Sequence, residues 1–176
     1  MTTEAASRQF RDLVLPHLDE GYRLAKWLSG SGADADDIVQ EAAMRALAAL
    51  EAATPLKPRA WWLAVVRNAA LTWMGRNRPK ALTFVADLDE DAAVDAPNPE
   101  AALISRDEGE RVRRAIASLP SPLRETLVLR EIEDLDYRAI ADATEAPIGT
   151  VMSRLARARG RLRAELISAN ARESRS

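Results

Sequence analysis

A chain of 176 residues with a net charge of −2 has room for one medium domain or two small ones, and any basic surface on it must be local. Without cysteine and with one histidine, His17, it excludes disulfides, cysteine-ligated metals and any two-histidine zinc or catalytic cluster. No apolar run is long enough to span a bilayer, and the N-terminal MTTEAASRQF has no apolar signal core, so a soluble cytoplasmic protein with no membrane partner is expected.

Alanine, leucine and arginine are abundant, glycine is sparse and strand-like alternation is absent, so the fold is expected to be all-α. A first helix is expected from about Ser7 to Ser29. Phe10, Leu13, Val14, Leu18, Tyr22, Ala25 and Leu28 lie on one face, and Pro16 marks a break near its start. The Gly/Ser-rich SGSGAD (29–34) reads as a loop, ending at Asp34 as helix cap, with Asp36 and Asp37 favoured in the first turn by the helix dipole. That second helix runs to about Leu50. Ile38, Val39, Ala42, Ala46 and Leu50 can face a core, and Asp37, Gln40, Glu41 and Arg45 an outer polar side. A Pro-bounded turn, Thr54 to Pro58, leads to a helix from Arg59 to Arg76. Trp62, Val65, Val66, Ala69 and Trp73 form its core side, while Trp61, Arg67, Asn68 and Arg76 can reach outward. Tryptophans at this spacing are more often core, but interleaved with Arg and Asn they also suit stacking on single-stranded nucleic acid.

Composition then changes. No basic residue stands between Lys80 and Arg106, while Asp87, Asp89, Glu90, Asp91, Asp95 and Glu100 accumulate around Pro97 and Pro99. This reads as an acidic flexible linker over 81–99 between two small helical domains, 1–80 and 100–176. Helices are expected to resume at Pro99 or Glu100 and run to Ser118. A further helix, started by Ser121 as cap with Pro122, reaches about Glu133.

The stretch from Asp136 to Leu166 then reads as two helices joined by a tight turn. On the second, Ile148, Val151, Leu155, Ala158, Leu162 and Leu166 make one apolar stripe. The opposite face carries Thr150, Ser153, Arg154, Arg157 and Arg161, with Arg159 and Arg163 on its flanks, and no acidic residue occurs from Ile148 to Ala164. An arginine-rich amphipathic helix is often only a solvated face. Three details favour a helix-turn-helix whose second helix enters the DNA major groove. Pro147 suits a helix start, Gly149 and Thr150 sit where first-turn N–H groups can meet a phosphate, and the arginines keep to one side.

No catalytic constellation emerges. There is no Gly-rich phosphate loop, Ser/His/Asp set or metal-spaced carboxylate–histidine pair, so no enzyme, cofactor, metal or small-molecule substrate is expected.

The order of parts resembles the extracytoplasmic-function (ECF) sigma factors, small two-domain specificity subunits of bacterial RNA polymerase. DADDIVQEAAMRAL (34–47) is similar to their polymerase-clamp-binding helix, PRAWWLAVVRNAALTWMGR (58–76) to their promoter-melting segment, and 119–162 to their C-terminal domain. The resemblance implies core polymerase, promoter DNA and an anti-sigma factor as partners. It implies that Asp36, Asp37, Gln40, Glu41 and Arg45 meet the polymerase clamp. Arg67, Asn68, Trp73 and Arg76 would lie at the melted minus-ten element, and Thr150, Ser153, Arg154, Arg157 and Arg161 on the minus-thirty-five duplex. The acidic linker would thread a basic channel of the polymerase. Two departures stand out. Thr144-Glu145-Ala146 forms the turn where the family often has glycine, which predicts a looser turn, and Met152 stands where lysine is frequent.

Two other readings compete. A sigma-like decoy that sequesters an anti-sigma factor usually accompanies a receiver domain, which is not expected here. A plain helix-turn-helix regulator leaves 34–76 unexplained.

Overall fold

The computed structural model describes residues 2–77 and 99–175, with side chains over 4–77 and 106–175, and every regular element among them is helical. The linker expected over 81–99 falls outside the described residues except at Pro99, which opens a helix.

Helix α1 (Thr2–Leu13) and helix α2 (Leu18–Ser29) are separated by one 3₁₀ turn, Leu15–His17, at the expected proline break. Pro16 lacks an N–H and cannot join a continuous helical ladder. Leu24, Ala25 and Leu28 of α2 are buried. At Gly21 a Cβ would stand 2.5 Å from the indole nitrogen of Trp62, so the absent side chain lets the tryptophan lie against α2. Trp62 is fully buried and donates from Nε1 to the carbonyl of His17 at 2.9 Å, which satisfies its polar atom inside the core.

Gly30, with φ 76, ends α2 in the left-handed region. Ser31 then caps helix α3 (Gly32–Leu50), its hydroxyl accepting from the Asp34 N–H at 3.4 Å. The cap expected at Asp34 is therefore three residues late. Serine in extended conformation satisfies an orphan N–H here, and Asp34 stands inside the first turn, where the dipole still favours it. Ala35, Ile38, Ala42, Ala46 and Leu50 of α3 are buried. Helix α4 (Pro58–Asn77) starts at its proline and buries Trp62, Leu63, Val66, Ala69 and Ala70; Trp73 is half-buried against the same core.

The second half begins with helix α5 (Pro99–Ala117) and helix α6 (Ser121–Leu127). Pro120, not Ser121, occupies the cap position of α6, and its carbonyl accepts the first helical bonds from Leu123 and Arg124. The helix expected to run to Glu133 changes character at Leu127. Residues Val128–Ile132 form a wide π turn, closed by Glu133 N–H on the Val128 carbonyl at 3.0 Å. Asp136 caps helix α7 (Tyr137–Thr144), accepting from the Ala139 N–H at 2.7 Å.

Glu145 closes α7 at φ 53, ψ 40, and the Ala146 N–H reaches the Ala141 carbonyl at 3.0 Å. The expected looser turn is thus not found: glutamate takes the left-handed conformation usual for glycine. Helix α8 (Ile148–Glu173) buries Val151, Leu155 and Ala158. Leu162 and Leu166 are half-buried, and Ile148 is exposed, so the apolar stripe is narrower than expected at its start. In this half the buried side chains include Leu123, Leu127, Val128, Leu129 and Ile140.

The halves are in contact. α4 packs on α7, and α2 touches α6 and the wide turn, so the buried residues of both form one cluster.

Candidate nucleic-acid interface

On α8, Thr150, Ser153, Arg154, Arg157 and Arg161 follow helical spacing, so their side chains stack along one face about 16 Å long. The Ser153 hydroxyl donates to the Thr150 carbonyl at 3.1 Å. Arg157 and Arg161 are exposed; Thr150 and Arg154 are half-buried beside the core stripe. No ion pair or side-chain hydrogen bond among the described residues engages Arg154, Arg157 or Arg161. Arg159 differs. Its Nε donates to Glu131 at 2.9 Å, and that hydrogen bond holds the guanidinium's pKa above its ordinary value. The flanking cation is therefore committed within the protein. Among the described residues the α8 face is a row of unengaged guanidinium groups on a helix, with the width a major groove admits and the donors that guanine edges and phosphates accept.

The α4 residues do not form a comparable open surface. Asn68 and Arg76 are exposed, Trp73 is half-buried, and Arg76 lies 3.7 Å from Glu41 of α3. Arg67 turns inward. It makes two parallel bonds to Glu125 of α6, and its Nη1 donates to Asn68 Oδ1 at 3.2 Å. Sequence reasoning placed Arg67 on an outward face and missed Glu125. A glutamate between Arg124 and Thr126 carries no local sign that it will be buried opposite a residue 58 positions earlier.

Along α3, Asp36, Asp37 and Gln40 are exposed together, while Glu41 and Arg45 are half-buried and paired to each other. Met44, left unassigned by the sequence reading, is 68% exposed. It stands four residues after Gln40 and seven after Asp37, so helical spacing puts it on the same outer face. A lone exposed apolar side chain is ordinary on a protein surface, so nothing in the sequence singles Met44 out.

Two family matches fit this layout. Residues 13–79 match Sigma-70 region 2, which takes in the α3 and α4 residues. Residues 109–162 match Sigma-70 region 4, which takes in the α8 face. The ECF RNA polymerase sigma-E factor of Escherichia coli K12 is 34% identical over 134 residues, covering 72% of this chain and 70% of that protein. The chain belongs to the ECF sigma factors. A further relative of this sigma factor is the ECF RNA polymerase sigma factor SigE of Mycolicibacterium smegmatis, 36% identical over 163 residues and 91% of this chain; the match spans 62% of that relative's length. Among solved structures, the sigma factor RpoE of Bartonella quintana, crystallised with the anti-sigma factor NepR, superposes with a TM-score of 0.69 at 25% identity, covering 89% of this chain and 96% of that one. CnrH, in complex with the cytosolic domain of CnrY, gives 0.66 at 25% identity, with 95% of both chains covered.

Proposed function

We infer that this chain is an alternative sigma factor that binds core RNA polymerase and directs it to promoters, as a non-catalytic, cytoplasmic subunit. The observation that carries this is the region 2 and region 4 matches in one chain and in that order, the second ending in a helix-turn-helix whose second helix carries Arg154, Arg157 and Arg161 on one face. In this reading 1–80 binds the polymerase clamp through Asp36, Asp37, Gln40, Glu41 and Arg45. The same domain meets the minus-ten element through Arg67, Asn68, Trp73 and Arg76. Residues 81–99 are the linker, and 100–176 place Thr150, Ser153, Arg154, Arg157 and Arg161 on the minus-thirty-five duplex. An anti-sigma factor is proposed as a further partner, supported by the two sigma–anti-sigma complexes that superpose on the chain. No helix among the described residues is long and apolar enough to cross a membrane, which is compatible with this placement.

Run-off transcription tests the reading: core polymerase with this protein should initiate from a defined subset of a promoter library, and core alone should not. Within that assay Arg154→Ala or Arg157→Ala should weaken upstream-element binding. A side chain that reads guanine should cost about 1–3 kcal/mol and relax one base pair; one that holds phosphate should cost affinity evenly across sequences. Unchanged promoter-dependent transcription in both variants would reject α8 as the recognition helix.

A further inference from the structure

The seam between the halves sorts charge by side: in its principal pairs the N-terminal half supplies guanidinium groups and the C-terminal half carboxylates. Arg67 donates from Nε to Glu125 Oε2 at 2.8 Å and from Nη2 to Glu125 Oε1 at 2.9 Å. Arg23 repeats the fork on Glu133, with both bonds at 2.8 Å. Arg59 donates to the main-chain carbonyl of Glu133 while holding Glu20 at 2.5 Å. The side chains of Arg67, Glu125 and Glu133 are 12%, 4% and 0% exposed.

All three nitrogens of the Arg67 guanidinium are therefore spoken for, two by Glu125 and one by Asn68. The fork that fits a carboxylate also fits a phosphate, and it cannot serve both at once. The cost of desolvating both ions offsets much of their attraction, but taking one partner away leaves the other buried and unpaired, which disfavours the closed form. When the seam parts, both ions return to water and that cost is recovered. We propose that the Arg67–Glu125 pair is an intramolecular latch that holds the two halves together, and that single-stranded nucleic acid at α4 opens it by taking Arg67 from Glu125. The proposal rests on the sigma-factor reading in placing nucleic acid at α4; the latch itself stands on the seam.

The test uses the whole chain. Since it has no cysteine, Ala52→Cys and Ser168→Cys, both at exposed positions, give two dye sites across the seam for energy transfer. Glu125→Gln keeps the shape and removes the charge, and should lower transfer in the free protein. The exchange Arg67→Glu with Glu125→Arg should restore it. If Glu125→Gln does not fold, Arg23→Gln, at a 46% exposed side chain, loosens the outer pair instead. Free Glu125→Gln protein should also bind a single-stranded minus-ten oligonucleotide on the order of tenfold tighter, the gain when a competent form rises from about one-tenth of the population to nearly all of it. Unchanged transfer in both Glu125→Gln and Arg23→Gln would overturn the latch. Lowered transfer without tighter oligonucleotide binding would overturn the exchange. Failure of run-off transcription with wild-type protein would instead reject the sigma-factor reading, and would leave the transfer changes as they are.

Discussion

Glu145 holds φ 53 at the end of α7 with an exposed side chain that makes no hydrogen bond or ion pair among the described residues. A Cβ in that region costs roughly 1–2 kcal/mol, and glycine avoids it at the expense of a floppier unfolded chain. Glu145→Gly should therefore stabilise the protein by about 0.5–1 kcal/mol, read as a higher urea midpoint with an unchanged slope. A drop in the midpoint would mean that the Glu145 side chain supports the turn in a way its geometry does not reveal. The opposite case is Gly21, where the neighbour is an indole ring instead of solvent. The glutamate was legible as an unusual occupant of a turn, but its backbone conformation was not. Nothing around Gly21 announces that Trp62, 41 positions later, will lie on it.

Helices with their own start signals are legible in the sequence. Pro58 is the first residue of α4, where its fixed φ suits a helix and its missing N–H costs nothing, and Pro147 caps α8 from an extended conformation just before the first turn. The start of α3 is hidden because Gly and Ser also signal a loop, whereas Ser31 is the cap and Gly32 the first helical residue. The wide turn after α6 was not legible at all, since apolar spacing over Val128–Ile132 suits an α-helix equally well. The buried and exposed sides of α3 emerge cleanly, and they allow a test of its outer face. Asp37 is exposed and makes no hydrogen bond or ion pair among the described residues, so Asp37→Arg should leave helical content unchanged. If that face meets a basic clamp surface, reversing the charge should reduce affinity for core polymerase through like-charge repulsion. Equal affinity in a titration against core would remove Asp37 from the polymerase-binding set.

At the scale of the whole molecule, one carboxylate ties elements of both halves together. Glu20 on α2 accepts from His17 and from Arg59, and Arg59 also reaches the Glu133 carbonyl across the seam. Burial alone would raise the Glu20 pKa, but the hydrogen bonds from His17 and Arg59 and the Arg59 charge together bring it below its ordinary value of 4.5. A depressed folded pKa means that the folded chain binds its proton less readily than the unfolded one. The stability from Glu20 is then present above pH 4.5 and is lost as pH falls through the lower folded value. Urea midpoints measured down that window should fall less steeply for Glu20→Gln than for wild type; parallel curves would show that Glu20 contributes nothing to acid sensitivity. The seam that Glu20 supports also meets the wide turn after α6. A π turn closes an i→i+5 hydrogen bond and so holds one residue more than an α turn. Between Val128 and Ile132 the helix takes up that residue without breaking, and Glu133 emerges with its carboxylate on Arg23 and its carbonyl on Arg59. The wide turn thus works as a slack link: the chain carries an extra residue there and still presents Glu133 to the seam.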